Sequence, residues 1–151
     1  MFKWIGCFAF LVLSSVGNCE EQGIVQSAKI IDHSDLKVYT FHGNSLQGVA
    51  TQAMGAQEFE VWRSSWAVGG GTPKHTHNTE EIFIFLKGKG RAVIGDEEFF
   101  FEAPCTIICP ANVPHELFNV GDEPTDSVLI MGPGSTIWNA DGKVMNLPWR
   151  N

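Results

Sequence analysis

Four side chains of this chain can do chemistry together: His75 and His77 in the run G-G-G-T-P-K-H-T-H-N-T-E-E, Glu81 at the end of that run, and His115 in P-A-N-V-P-H-E-L-F-N. Two imidazoles one residue apart on an extended strand point to the same face, because strand side chains alternate with a period of two. A carboxylate four residues on and a third imidazole from a later strand can converge with them. Three neutral nitrogens and one carboxylate suit a divalent transition metal, with one or two positions left for water or ligand. Nitrogen-rich ligation admits zinc, iron, manganese, nickel or copper. Zinc leads, because it binds tightly and is available in secretory compartments. His33 and His42 lie in irregular sequence and read as solvated loop histidines.

To hold these groups the chain must supply short strands. Strand-like runs follow one another from Phe59 to Trp66, Ile82 to Leu86, Arg91 to Ile94, Phe99 to Phe101, Cys105 to Cys109, Leu117 to Val120 and Val128 to Met131. Each is rich in β-branched or aromatic residues and bounded by Gly, Pro, Asn or Asp. Gly88-Lys89-Gly90 and Gly95-Asp96 are turn signals. No stretch of helical length keeps a 3.6-residue period. The pattern predicts an all-β sandwich or small barrel. His75 and His77 share one strand, Glu81 begins the next after the turn Asn78-Thr79-Glu80, and His115 is expected from the opposite sheet.

Composition narrows the partners. The chain has 151 residues and a net charge of −7, with no basic patch, so nucleic acid is not an expected partner. Lys3 precedes an apolar run, Trp4 to Val16, and Ser14-Ser15-Val16-Gly17 offers small residues for cleavage. Residues 1–17 therefore read as a secretory signal peptide. Residues 20–151 follow as a single domain, with no membrane span after the signal. The last four residues are no retrieval tetrapeptide, so secretion or a periplasmic location is expected. Of the four cysteines, Cys7 leaves with the signal and Cys19 has no evident partner. Cys105 and Cys109 would stand roughly 13 Å apart on one strand, beyond the roughly 7 Å a disulfide allows, so they read as small buried apolar residues.

The spacing of the four candidate ligands resembles a known pattern. Gly69, five residues, His75-x-His77, three residues, Glu81, six residues and Gly88 match the first cupin motif at every defined position. Pro110, His115 and Asn119 stand at the intervals of the second motif, with Pro104 and Asn112 in place of two of its glycines. Asn112 can take positive φ. The resemblance implies a double-stranded β-helix, the jelly-roll barrel in which these four side chains meet. Glu60-Val61-Trp62, Thr72-Pro73, Glu80-Glu81, Phe83 and Leu86-Lys87-Gly88-Lys89-Gly90 further resemble the plant auxin-binding proteins. That family implies zinc on His75, His77, Glu81 and His115, holding the carboxylate of a small aromatic ligand. Trp62, Thr72 and Pro73 would line the pocket, with Ile137 and Trp149 as counterparts nearer the C-terminus. The connection between the motifs is shorter here by roughly ten residues, and the family's glycosylation sequon and retrieval signal are missing.

Read from the residues, Trp62 and Trp66 share a strand face, and an aromatic wall beside a Lewis-acidic metal suits a flat ring bearing a carboxylate. Three functions compete. The first is a binding protein for an aromatic carboxylate, expected as a homodimer. The second is a metal-dependent enzyme, a dioxygenase or decarboxylase acting on a small phenolic or carboxylic acid. The third is a storage shell. No general base is evident beside the ligands: Tyr39 is distant in sequence, Glu80 should face away from Glu81, and Glu116 away from His115. A metal-bound hydroxide can itself serve as base.

Overall fold

A computed structural model describes residues 28–41 and 43–150; the expected signal segment, Cys7, Cys19 and His42 lie outside them. Eleven strands form two antiparallel sheets among the described residues. They are β1 (Tyr39–Phe41), β2 (Asn44–Ala50), β3 (Glu60–Trp66), β4 (Gly71–His77), β5 (Glu81–Lys87), β6 (Lys89–Ile94), β7 (Glu97–Glu102), β8 (Cys105–Cys109), β9 (His115–Asn119), β10 (Asp126–Met131) and β11 (Ile137–Asn139). The six-stranded sheet has the order β1-β2-β3-β10-β5-β8, and the five-stranded sheet β11-β4-β9-β6-β7. From β3 onward the chain crosses between sheets at nearly every connection. This is a jelly-roll β-barrel, the all-β class expected from the strand pattern.

Alternation explains which residues face inward. On β5 the residues Glu81, Phe83 and Phe85 are buried while Ile82 and Ile84 between them are only partly covered. On β3 the inward set is Glu60, Trp62, Ser64 and Trp66, so the two tryptophans do share a face. Trp66 meets Phe83 and Phe85 edge-on, with ring centroids 6.1 and 5.4 Å away. Each large apolar side chain removed from water contributes roughly 1.5–3 kcal/mol, so this cluster is a main part of the barrel core. Cys105 and Cys109 sit on β8 as free thiols, Cys109 buried, in accord with their expected role as packing residues.

Two turns decide how the later ligand is presented. Asn112 adopts φ 63°, the left-handed region that Asn tolerates, and its N–H donates to the His77 carbonyl at 2.8 Å. Pro104 follows a cis peptide between β7 and β8. Asn119, at the end of β9, uses its amide to donate to the carbonyls of Trp66, Ala67 and Glu123 and so ties β9 to the loop after β3.

Sequence reasoning missed β1, β2 and β11. On β2 the inward positions are Asn44, Leu46 and Gly48, only one of them a large apolar residue, so the alternation is invisible. Gly48 is required because a Cβ there would collide with the Trp149 carbonyl. The C-terminal segment therefore lies directly against β2.

Candidate metal centre and its cavity

His75 and His77 close β4, and His115 opens β9 directly beside them in the same sheet, where His75 and His115 are register partners. The expectation that His115 comes from the opposite sheet is thus corrected: Glu81, at the start of β5, is the ligand that crosses from the six-stranded sheet. The reason is the jelly-roll path, which places β4 and β9 side by side. Glu81 must reverse sheets in the three-residue turn after His77. All four side chains are buried, and their donor atoms lie within 4.8 Å of one another.

The hydrogen bonds dictate the state of each imidazole. His75 Nδ1 bonds the Pro73 carbonyl at 2.8 Å, His77 Nδ1 the Thr79 carbonyl at 2.6 Å, and His115 Nδ1 the Val113 carbonyl at 2.9 Å. A carbonyl oxygen only accepts, so each Nδ1 carries a proton. A neutral ring then presents a bare lone pair at Nε2. All three Nε2 atoms converge on Glu81 Oε2, at 3.1 Å from His77, 3.3 Å from His115 and 3.7 Å from His75. Lone pairs aimed at a carboxylate oxygen repel it unless protons or a cation stand between them. Three buried imidazolium rings this close would repel one another strongly. A single divalent cation satisfies all four donors at once, and the donor set fits a borderline transition metal.

The electrostatics of the bare cluster follow. Burial pushes the Glu81 carboxyl up, but hydrogen bonds from His115, His75 and His77 outweigh it and hold Glu81 far below the usual carboxylate range. Burial pulls His77 down, yet the Glu81 hydrogen bond and charge, with the Thr79 carbonyl, leave its net value raised. Cys109 is the register partner of Glu81. Burial, and then the Glu81 charge, push its thiol up to about 12.

An apolar cavity opens from this cluster. His75 and Glu81 line one end, and Trp62, Leu129, Ile137 and Trp149 form its walls. Thr72 and Pro73 line it too, so the five pocket residues named from the family resemblance gather around one space. Pro73 is solvent-exposed and Thr72 half-buried. Sequence reasoning missed Phe41, Leu46, Ser64, Met145 and Leu147 in the lining. Ser64 has the inward strand parity of Trp62 and Trp66, which alone does not mark it as cavity-facing; Phe41 and Leu46 lie on the unrecognised β1 and β2. Trp149 stacks on Phe41 with centroids 5.9 Å apart and meets Trp62 edge-on at 5.7 Å. Tyr39, distant in sequence, packs against Trp149 at 6.4 Å. Arg150 anchors this wall: its Nε donates to the buried Glu60 carboxylate at 2.6 Å, and its Nη1 to the Ser135 carbonyl. His33 is exposed, as expected of a loop histidine.

Comparison with known proteins places this arrangement. Residues 62–131 match the family model described as a cupin domain. This stretch is a cupin. The match takes in Glu81 and all three clustered histidines. The chain resembles auxin-binding protein 4 of Zea mays, at 35% identity over 88 aligned positions that cover 52% of this chain and 43% of that protein. It also resembles auxin-binding protein T85 of Nicotiana tabacum, at 33% identity over 87 positions, covering 51% and 46%. The chain thus spans less than half the length of these curated relatives. Among solved structures, the polyketide cyclase RemF from Streptomyces resistomycificus superposes with a TM-score of 0.65, covering 82% of this chain and 91% of that chain. At 17% identity, that likeness speaks for the fold alone.

Proposed function

We propose that this cupin binds a small aromatic carboxylate through a divalent metal, zinc first among the candidates. The observation that carries the reading is the convergence of three carbonyl-clamped imidazoles on Glu81 at one end of an apolar, aromatic-walled cavity. A metal held there would supply positive charge to an anionic ligand oxygen. Glu81 and the three Nε2 atoms would hold the metal, and the buried walls would exclude water and orient the ring. Trp62, Ile137 and Trp149 would take the ring faces and edges, with Thr72 and Pro73 on the metal strand itself. The similarity to auxin-binding proteins supports the ligand class.

Binding rather than turnover is favoured by the lining itself. Apart from His75 and Glu81, no Asp, Glu, His, Lys or Arg lines the cavity among the described residues. Glu80 is exposed, and Glu116 sits on the outward parity of β9. Export to the secretory path or periplasm, and pairing as a homodimer, belong to the same reading. The test is calorimetric titration of phenylacetate into zinc-loaded and chelator-stripped protein. Binding confined to the loaded form is expected, together with a ligand-dependent rise in melting temperature. Equal responses in both forms would remove the metal from recognition.

A further inference from the structure

Beyond its metal end the cavity is not uniformly apolar. Ser64 is fully buried, lines the cavity, and its Oγ has no hydrogen-bond partner among the described residues. A buried hydroxyl without a partner is destabilising by roughly 1–3 kcal/mol, so its retention asks for an explanation. Register locates it. Ser64 pairs with Ser127, and Ser127 with Phe85, four residues beyond Glu81 on β5. That is roughly 13 Å along the strands and, with two strand spacings, roughly 10 Å across them. Ser64 therefore stands at the end of the cavity opposite the metal and beyond reach of a carboxylate bound there.

Other unpartnered atoms border the same space. The indole nitrogens of Trp62 and Trp149 are buried and unpaired. Their edge-to-face contact lets at most one of them rest on the other's ring. Asn44 Oδ1 is also unpaired, but it is turned against Gly70, where a Cβ would collide with it. The cavity is small, about 60 Å³, which favours a single ring carrying an acid at one end over a larger or fused ring system.

We propose that the ligand is a hydroxylated aryl carboxylic acid, with its phenolic hydroxyl on Ser64 Oγ and its carboxylate at the His75–Glu81 end. This rests on the carboxylate-binding reading above and extends it to the far end of the ring. A phenolic hydroxyl both donates and accepts, as Ser64 does, so either direction of the bond satisfies both groups. An unsubstituted ring would leave Ser64 buried and unsatisfied, which is the kind of mismatch that gives binding sites their sharpest discrimination.

The experiment is calorimetry on the zinc-loaded full chain with phenylacetate, 4-methylphenylacetate and 4-hydroxyphenylacetate, repeated on Ser64→Ala. In the wild type, 4-hydroxyphenylacetate should bind about tenfold tighter than phenylacetate, the upper end for one buried hydrogen bond. The methyl analogue, equal in size but without hydrogen bonding, should bind no better than phenylacetate. In Ser64→Ala the preference for 4-hydroxyphenylacetate over phenylacetate should vanish. Equal wild-type affinities for the hydroxyl and methyl acids would overturn this proposal and leave the carboxylate reading standing. An advantage that persists in Ser64→Ala would overturn the role of Ser64. If no acid binds the metal-loaded protein, the carboxylate reading fails and this proposal with it. The three wild-type titrations decide the matter even if the variant does not fold.

Discussion

The two ends of the cavity are built in opposite ways. The metal end draws its four donors from residues 75–115, on adjacent strands and one tight turn, each imidazole held by a carbonyl two residues away. The aromatic end draws on β1, β2, β3 and the last turn of the chain, and Trp149 is held by contacts with Phe41, Trp62 and Tyr39. Each imidazole of the first end is oriented by its own neighbouring main chain, whereas the four donors meet only through the β4–β9 pairing and the crossing to β5. Long-range construction makes the second end dependent on the C-terminal segment staying in place. Affinity for metal and affinity for ligand should therefore separate under mutation.

The largest expected effect is at the metal end. His115→Ala should abolish stoichiometric metal, with a loss beyond the roughly 10–100-fold that outer-shell changes cause. Elemental analysis after dialysis checks this, and wild-type metal content in the variant would break the assignment. Next comes the aromatic end. Arg150→Met leaves Glu60 buried without its partner, and breaking such a pair costs about 3 kcal/mol. Chemical denaturation should record that loss, while the folded variant keeps its metal and loses ligand affinity as Trp149 is freed. If metal content fell in step with ligand affinity, the two ends would not be independent.

A subtler separation is in pH. His77 is raised from its ordinary 6.5 and Glu81 lowered from 4.5. In the metal-free protein, the His77 contribution to stability is full below pH 6.5 and is lost as pH rises through its folded value. The Glu81 contribution is full above 4.5 and is lost as pH falls through its own. The bare cluster thus stabilises the fold most between those two values, whereas metal affinity should climb with pH as His77 gives up its proton. Denaturation midpoints with and without zinc across pH 4–9 should diverge upward, and parallel curves would contradict the cluster electrostatics. The smallest effect concerns Cys109. With its thiol pushed up to about 12, it should resist iodoacetamide at neutral pH in folded protein and react on unfolding, as read by peptide mass mapping.

What was legible in the chain follows the same division. Motif spacing brought out His75, His77, Glu81 and His115, and strand alternation, a local rule, put the first two on one face. The sheet that supplies His115 was not legible, since pairing between β4 and β9 depends on the path of the chain across forty residues. Strands with continuous apolar alternation, such as Glu81–Lys87, were read within a residue or two of their ends. β2 hid behind Asn44 and Gly48, whose inward positions are explained only by the Gly71 carbonyl and the Trp149 backbone they meet. The pocket's Ser64 fell within a recognised strand, but nothing local distinguishes a serine facing a cavity from one facing a neighbour.

The three carbonyl clamps have an evolutionary corollary. Pro73, Thr79 and Val113 hold the imidazoles through main-chain oxygens, which no side-chain replacement at those positions can delete. Ancestral duplication followed by drift could rewrite the walls repeatedly while the tautomers stayed set. One inherited cation cradle could then serve a succession of unrelated small molecules.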